Sequence, residues 1–241
     1  MKLLNSITTV LFLLSTTLVS AQWGKSKKIK GDGNITTTTI STTDYDAIST
    51  AGSMDFRLVK GNEGDISIKG DSNLMPYIVA EVNDHTLIVK IKKGYNLKPT
   101  QTIVITIPYE SINAVSLAGS GDVENSGVIK ANHFKVALAG SGDMDLQIDS
   151  QSTESTIAGS GDIELKGNTT NLKTTIAGSG DFDGDDLDST NVDATISGSG
   201  DISVHCNGEL KVRISGSGDV KYSGKPTYKD TKISGSGSVS N

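Results

Sequence analysis

Seven close copies of Gly-Ser-Gly-Asp divide the second half of this chain into segments of nearly constant length. Successive first glycines are 21, 19, 19, 20, 18 and 19 residues apart, at Gly119, Gly140, Gly159, Gly178, Gly198, Gly216 and Gly235. Such a period is typical of a solenoid, in which each repeat is one coil that buries its apolar side against its neighbours. The repeat therefore constrains the architecture far more than it constrains the function.

Two columns of apolar residues flank the repeated motif. Two residues before the first glycine stand Leu117, Leu138, Ile157, Ile176, Ile196, Ile214 and Ile233, and four residues after it stand Val123, Met144, Ile163, Phe182, Ile202, Val220 and Val239. Around them apolar residues alternate with Ala, Ser, Thr, Asp and Glu, the period of two that strands require. We predict an all-β fold, a parallel β-helix-like solenoid with coils of about 19 residues and two or three short strands per coil, in which glycine makes the corner.

The chain divides into four predicted parts. Residues 1–21 have a basic residue, a short apolar stretch and small residues before Ala21, which is the pattern of a signal peptide. Residues 22–33, rich in Lys, Gly and Ser, are expected to form a flexible leader. Residues 34–110 form a β-rich N-terminal part of the solenoid, where Ala51–Asp55 resembles a degenerate first copy of the motif and Leu74–Val79 fits a short helix or a loop. Residues 111–241 form the repeat solenoid.

Charge and targeting features restrict the partners. After removal of residues 1–21 the chain keeps 21 basic against 28 acidic side chains, which argues against nucleic acid or anionic lipid as a partner. We expect export to the periplasm, the outer surface or the extracellular space. No apolar run reaches the ~20 residues of a membrane span.

A single cysteine excludes an internal disulfide. Cys206 is predicted to be a small buried hydrophobe, with a reactive or intermolecular thiol as the alternative. Hydrophobic residues make up 35% of the chain, which suffices when each coil fills only a narrow interior. Packing and backbone pairing must therefore hold the fold together.

A column of aspartates at the fourth motif position is the first candidate site. Carboxylates on neighbouring coils, at about 4–5 Å, would repel by roughly 1 kcal/mol even in water. We predict that backbone N–H groups at the glycine corner compensate them, and bound Ca²⁺ is the alternative. Glycine-rich calcium β-rolls repeat every nine residues, about half the period here. The column consists of Asp122, Asp143, Asp162, Asp181, Asp201 and Asp219.

A second acidic cluster follows the fourth motif copy, with Asp181, Asp183, Asp185, Asp186 and Asp188. It does not match an EF-hand, because Gly184 falls at the fourth position and Val192 at the twelfth. A solvated acidic loop is predicted, with a Ca²⁺ site as the alternative.

No candidate catalytic, cofactor-binding or metal residues emerge from the remaining sequence, and no cofactor is implied. His85, His133 and His205 are far apart and lack metal-ligand spacing. Gly-x-Ser-x-Gly is absent, and Arg213, between two apolar residues, is predicted to point outward without a partner. We therefore predict that the protein is not an enzyme.

A resemblance to a known family rests on four segments: 56–61 (Phe-Arg-Leu-Val-Lys-Gly), 87–89 (Leu-Ile-Val), 103–108 (Ile-Val-Ile-Thr-Ile-Pro) and 117–122 (Leu-Ala-Gly-Ser-Gly-Asp). Over roughly residues 35–240 the chain resembles the auto-transporter adhesin family known as the head GIN domain. The resemblance implies a β-helix-like adhesin domain of secreted or surface proteins of Bacteroidetes-type bacteria, without established catalytic residues.

The leading hypothesis is a secreted or cell-surface, non-catalytic adhesin-like module that binds an unknown glycan or protein. The alternatives are a self-associating envelope protein and a Ca²⁺-dependent polysaccharide lyase. In the last motif copy Ser238 replaces the aspartate, which removes a repulsive charge and predicts homo-association through the C-terminal coil, with fraying as the alternative.

Overall fold

The computed structural model describes residues 26–241, so the predicted signal peptide and residues 22–25 lie outside the described residues. The strands of the N-terminal part are β1 (Lys27–Lys30), β2 (Ile35–Ser41), β3 (Ala47–Gly52), β4 (Asp55–Lys60), β5 (Asp65–Asp71), β6 (Ile78–Asn83), β7 (Thr86–Ile91), β8 (Tyr95–Lys98) and β9 (Val104–Tyr109). A 3-10 helix, Ser72–Tyr77, connects β5 to β6, so the segment that fitted a helix or a loop is mostly helical.

The repeat region continues the strand series. Its strands are β10 (Ala114–Gly119), β11 (Val123–Ser126), β12 (Ile129–Gly140), β13 (Met144–Gly159), β14 (Ile163–Gly178), β15 (Phe182–Gly198), β16 (Ile202–Cys206), β17 (Glu209–Gly216), β18 (Val220–Ser223), β19 (Tyr228–Gly235) and β20 (Val239–Ser240).

Parallel pairing stacks each coil in register on the next. In the pair β13–β14, for example, Ile157 lies beside Ile176 and Gly159 beside Gly178. The result is a β-solenoid of about seven turns at roughly 19-residue spacing, which confirms the predicted fold class.

Each coil has two arms that meet at a bend. In β13 the inward residues are Met144, Leu146 and Ile148, and after the bend the inward series resumes with opposite parity at Thr153. The parity changes at the bend, where Gln151 makes no ladder pair with the next coil. We call the stretch after the glycine corner the first arm and the stretch before the next corner the second arm. Inward residues of both arms belong to one core.

Burial confirms the two predicted apolar columns. In the first column, Leu117 to Ile214 are at most 3% exposed, and in the second, Val123 to Val220 are at most 1% exposed. The last members differ: Ile233 is 45% exposed and Val239 is only partly buried. Within the described residues β19 pairs with β17 on one side only, so no further coil covers Ile233.

Both glycines of the corner are required, for different reasons. The first glycine of the seven motif copies has φ between +137° and +151°, a conformation that strains any side chain. A Cβ on the second glycine would meet the backbone of the preceding coil, as at Gly161, where it would lie 2.0 Å from the carbonyl oxygen of Gly142. Coils can approach to strand-pairing distance at this corner only because both positions lack a side chain.

Ala51–Asp55 is the first copy of the motif, as predicted. Gly52 lies beside Gly119, and Phe56 lies beside Val123 in the next coil. Met54 occupies the place of the second glycine. This is tolerated because the next coil contributes Gly121, whose missing Cβ leaves room for the Met54 carbonyl.

The N-terminal end of the solenoid is closed by strands that do not follow chain order. β7 and β9 stack in parallel on the outer side of β3 and β4, although they come later in the chain. Antiparallel partners then flank them, because β6 pairs with β7 and β5 pairs with both β9 and β2. This end is therefore a cap.

The predicted flexible leader is wrong for its described part. β1 pairs in parallel with β8, and the next residues are held by Asp71, whose side chain is fully buried. Asp71 accepts hydrogen bonds from the Gly33 N–H (2.7 Å), the Thr100 N–H (2.8 Å) and the Thr100 hydroxyl (2.7 Å). Burial acts to raise the pKa of Asp71, but these donors outweigh burial and lower it below its ordinary value.

Candidate functional site

The Asp column is a continuous ladder of hydrogen bonds between coils. Each carboxylate accepts the backbone N–H of the aspartate in the next coil, at 3.1 Å from Asp143 to Asp122 and 2.7 Å from Asp219 to Asp201. The compensation is of the predicted kind, a backbone N–H at the corner, but the donor belongs to the following coil. Each carboxylate therefore contributes to the stacking of the coils.

The ladder ends in a neutral residue. Ser238 donates both its N–H (2.7 Å) and its hydroxyl (2.9 Å) to Asp219. At the other end, burial and the charge of Asp122 raise the pKa of Asp55. The serine that replaces aspartate in the last copy thus satisfies the preceding carboxylate without adding another charge.

The outer face of the first arm is acidic. Beside the Asp column runs a second register-aligned row of acids, Glu124, Asp145, Glu164 and Asp183. Lys166 is hydrogen-bonded to Glu164 and Asp145, and these bonds raise its pKa. Across residues 26–241, no group of three or more His, Cys, Asp or Glu side chains has a geometry that could hold a metal ion.

The structure distributes the acidic cluster 181–188 over separate contacts. Asp181 belongs to the ladder, and Asp183 accepts the N–H of Asp185 at 3.0 Å. Asp188 lies beyond an irregularity in strand register, 4.0 Å from His205. These carboxylates do not converge on one point.

An open groove of about 600 Å³ lies on the outer face of the second arm and crosses the coils between β12 and β17. Its floor is the buried row Phe134, Thr153, Leu172 and Val192. One wall, which we call the amide row, consists of His133, Ser152, Asn171 and Asn191. The other wall, which we call the charge row, consists of Lys135, Glu154, Lys173, Asp193 and Lys211. The groove therefore runs across the strands, along the solenoid axis.

The charge row alternates in sign from coil to coil. Glu154 lies between two lysines, 3.0 Å from the Lys173 Nζ and 3.9 Å from the Lys135 Nζ. The hydrogen bond and charge of Lys173, aided by Lys135, lower the pKa of Glu154. At the far end Glu209 bonds Lys211 at 2.8 Å and raises its pKa. The lining contains three lysines and three carboxylates, so it is nearly neutral on an acidic protein.

The amide row is bonded pairwise along the stack. His133 Nδ1 lies 2.6 Å from the Ser152 hydroxyl, and the Asn191 side-chain N–H donates to the Asn171 side-chain oxygen, Oδ1, at 3.0 Å. The Asn191 oxygen accepts the Glu209 N–H at 3.0 Å. An amide side chain has two N–H donors and two lone pairs, and Asn171 also donates to the Gln151 backbone carbonyl at 3.4 Å, so each asparagine keeps one donor and one lone pair after these contacts.

Sequence reasoning missed this groove, although a signal was present. Counted back from the first glycine of the motif copies at Gly140 to Gly216, the fifth residue gives the charge row and the seventh gives the amide row followed by Glu209. The alternation of charge sign appears only when the same position of successive coils is compared.

The other candidate residues are dispersed. His85 lies in a turn with φ of +57°, 3.8 Å from Asp46, and His205 bonds Ser223 at 2.9 Å. Cys206 is fully buried, as predicted, and burial raises the pKa of its thiol. The prediction that Arg213 lacks a partner is wrong, because the next coil supplies Asp230, which forms an ion pair with it.

Stacked parallel coils with a glycine corner and extended polar faces define a β-solenoid protein. The chain belongs to the family described as "Putative auto-transporter adhesin, head GIN domain", whose profile matches residues 44–226. No curated protein matches the chain.

Solved structures share the fold along nearly their whole length. A "putative adhesin" from Bacteroides fragilis has a TM-score of 0.81 at 25% identity, covering 88% of this chain and 99% of the other. A "Putative lipid binding protein" from Parabacteroides distasonis has a TM-score of 0.75 at 30% identity, covering 89% and 99%. A "putative adhesin" from Parabacteroides merdae, at 24% identity and a TM-score of 0.72, covers 89% and 99%. Among the described residues, none of the helices is long and apolar enough to cross a membrane.

Proposed function

We propose that this protein is a secreted or cell-surface, non-catalytic adhesin-like module whose groove binds a glycan or protein partner. The observation that carries the proposal is the groove itself, in which two walls of polar side chains repeat along the solenoid axis. Membership of the adhesin family supports a surface partner. Extended surfaces of this kind are what solenoid proteins use for binding.

The charges of the groove suit the binding of a polar partner. Lys173 lowers the pKa of Glu154, and Glu209 raises the pKa of Lys211, so each ion pair favours the charged form of its members. Membership of the adhesin family makes a Ca²⁺-dependent lyase the less favoured candidate.

We further propose that residues 1–21 act as a signal peptide and that the mature protein lies in the periplasm, on the outer surface or outside the cell. The apolar stretch before Ala21 supports this proposal. N-terminal sequencing of the exported protein tests it, and a mature chain that does not begin at Gln22 contradicts it.

The binding proposal is tested with residues 22–241 on a glycan array and against purified surface proteins. Specific binding should fall in Asn171→Ala and Lys173→Ala and persist in Lys221→Ala, an exposed lysine on the first arm. If all three variants bind like the original protein, the groove is not the site.

A second candidate activity is homo-association through the C-terminal coil. In β19, Tyr228 is 53% exposed and Ile233 is 45% exposed, and the strand pairs on one side only among the described residues. A second copy that paired with this edge would bury both side chains. Light scattering at tens of micromolar protein should show a dimer that Ile233→Asp and Ser238→Asp abolish, and a monomer in all three samples would contradict it.

A further inference from the structure

The spacing of the groove walls specifies a ligand more closely than the proposed function does. Each of the first four coils contributes one amide-row residue and one charge-row residue, and the fifth contributes Glu209 and Lys211, at the ~4.8 Å separation of paired strands. A ligand that uses every coil must therefore be a polymer with a repeat near that spacing. The inference rests on the proposed function, because it identifies the ligand of the same groove.

Comparison of repeats favours a glycan over a peptide. One hexose of an extended β-1,4-linked chain advances about 5 Å, close to the ~4.8 Å coil separation. An extended peptide advances about 3.4 Å per residue, so it loses register with the coils by about 1.4 Å at each step. Over the roughly five coils of the groove, only the glycan stays aligned with the side chains.

The alternation of the charge row fits the same class of ligand. Lys135, Lys173 and Lys211 donate hydrogen bonds, whereas Glu154 and Asp193 accept them, so the pattern repeats every second coil, at about 10 Å. In an extended β-1,4-linked chain each sugar is turned over relative to the last, so each edge of the chain also repeats every second sugar. Hydroxyl groups can act as donors or acceptors and therefore suit both kinds of side chain.

Charge selects among such glycans. The groove lining carries three lysines and three carboxylates, and the whole chain is net acidic. A strongly anionic polymer has no net attraction to the balanced charges of the lining and is repelled by the net negative charge of the protein. We infer that the groove binds an uncharged, linear β-1,4-linked glycan along the solenoid axis, with about one sugar per coil.

Calorimetry on residues 22–241 tests this with defined oligosaccharides. The probes are cellohexaose, chitohexaose and β-1,4-mannohexaose, with maltohexaose as the matched control because it has the composition of cellohexaose in an α-linked, coiled chain. At least one β-linked hexamer should bind, maltohexaose should bind at least about tenfold more weakly, and affinity should rise with length up to about five sugars. If no β-linked hexamer binds, or if the α-linked hexamer binds equally well, the inference is overturned.

Variants separate this inference from the proposed function. Asn171→Ala and Lys173→Ala should each weaken hexamer binding several-fold, whereas Asn62→Ala and Lys221→Ala, exposed and outside the groove, should not. If the groove variants instead abolish binding of a protein or a branched glycan, the proposed function stands and the linear-glycan inference fails. If a β-linked hexamer binds but all four variants leave binding unchanged, both fail.

Discussion

Replacement of Ile176 by aspartate tests the physical basis of the stack. The Ile176 side chain is fully buried, and it lies between Ile157 and Ile196 of the adjacent coils. Truncation of such a side chain to alanine costs about 2–5 kcal/mol. An aspartate adds an unpartnered buried charge, worth several kcal/mol more. The sum approaches the whole stability of a typical domain, about 5–15 kcal/mol.

Thermal unfolding followed by circular dichroism measures the effect. With ~2–4 °C per kcal/mol for a chain of this size, Ile176→Ala should melt about 4–20 °C below the original protein. Ile176→Asp should melt still lower or show no cooperative transition. Thr175→Asp is the matched control, because the adjacent residue is only partly buried and faces outward, and it should change the melting temperature little.

The pH dependence isolates the charge. Burial without a partner raises the pKa of the introduced carboxyl above its unfolded value, so its neutral form is favoured in the fold. The penalty is therefore small below the ordinary carboxyl range and grows as the pH rises toward the raised pKa. Ile176→Asp and Ile176→Ala should converge in stability at acid pH. The burial of Ile176 in the stacked core is contradicted if Thr175→Asp lowers the melting temperature more than Ile176→Asp, or if the stability difference between the two Ile176 variants is independent of pH.

Four further outcomes are expected. Asp162→Asn should lower the melting temperature little, because the amide keeps an oxygen for the Asp181 N–H, and a severe loss would show that the charge itself is needed. Excess chelator should leave the melting temperature unchanged; a drop of several degrees that added Ca²⁺ restores would assign the acidic residues to metal binding. Asp71→Asn should destabilise the cap and speed proteolysis near Gly33. In the original protein the pKa of Asp71 is lowered, so the cap should weaken only as the pH falls below the ordinary carboxyl range. Thr174→Val should raise the melting temperature, because the Thr174 hydroxyl is buried without a hydrogen-bond partner, and a lower value would contradict this assignment.

The repeat region was predictable because its corner permits few alternatives. A Cβ at Gly161 would overlap the Gly142 carbonyl, so the glycines must recur in every coil that stacks on a preceding motif copy. The apolar columns on either side then follow from strand alternation. The recurring glycines and the alternating apolar residues are both short patterns along the chain, so both can be recognised in one sequence.

The cap and the groove could not be predicted in the same way. Alternation identified β7 and β9 as strands, but it contains no information on which strand lies beside them, and they stack outside β3 and β4. The polar composition of the leader, residues 22–33, indicated a flexible segment, because composition does not reveal the contact with Asp71. The groove depends on residues about 19 positions apart, such as Glu154 and Lys173, which a search for local motifs does not compare.

Stacking at ~4.8 Å brings chemically similar side chains together, and each outward column must satisfy that constraint. The Asp column does so with backbone N–H groups, and the charge row does so with alternating signs. In the amide row, Asn171 and Asn191 keep spare donors and acceptors after bonding each other. Stability and binding should therefore reside in different columns. Removal of the accepting oxygen from the Asp column, as in Asp162→Ala, should act mainly on unfolding, whereas substitutions at Asn171 should act mainly on ligand affinity.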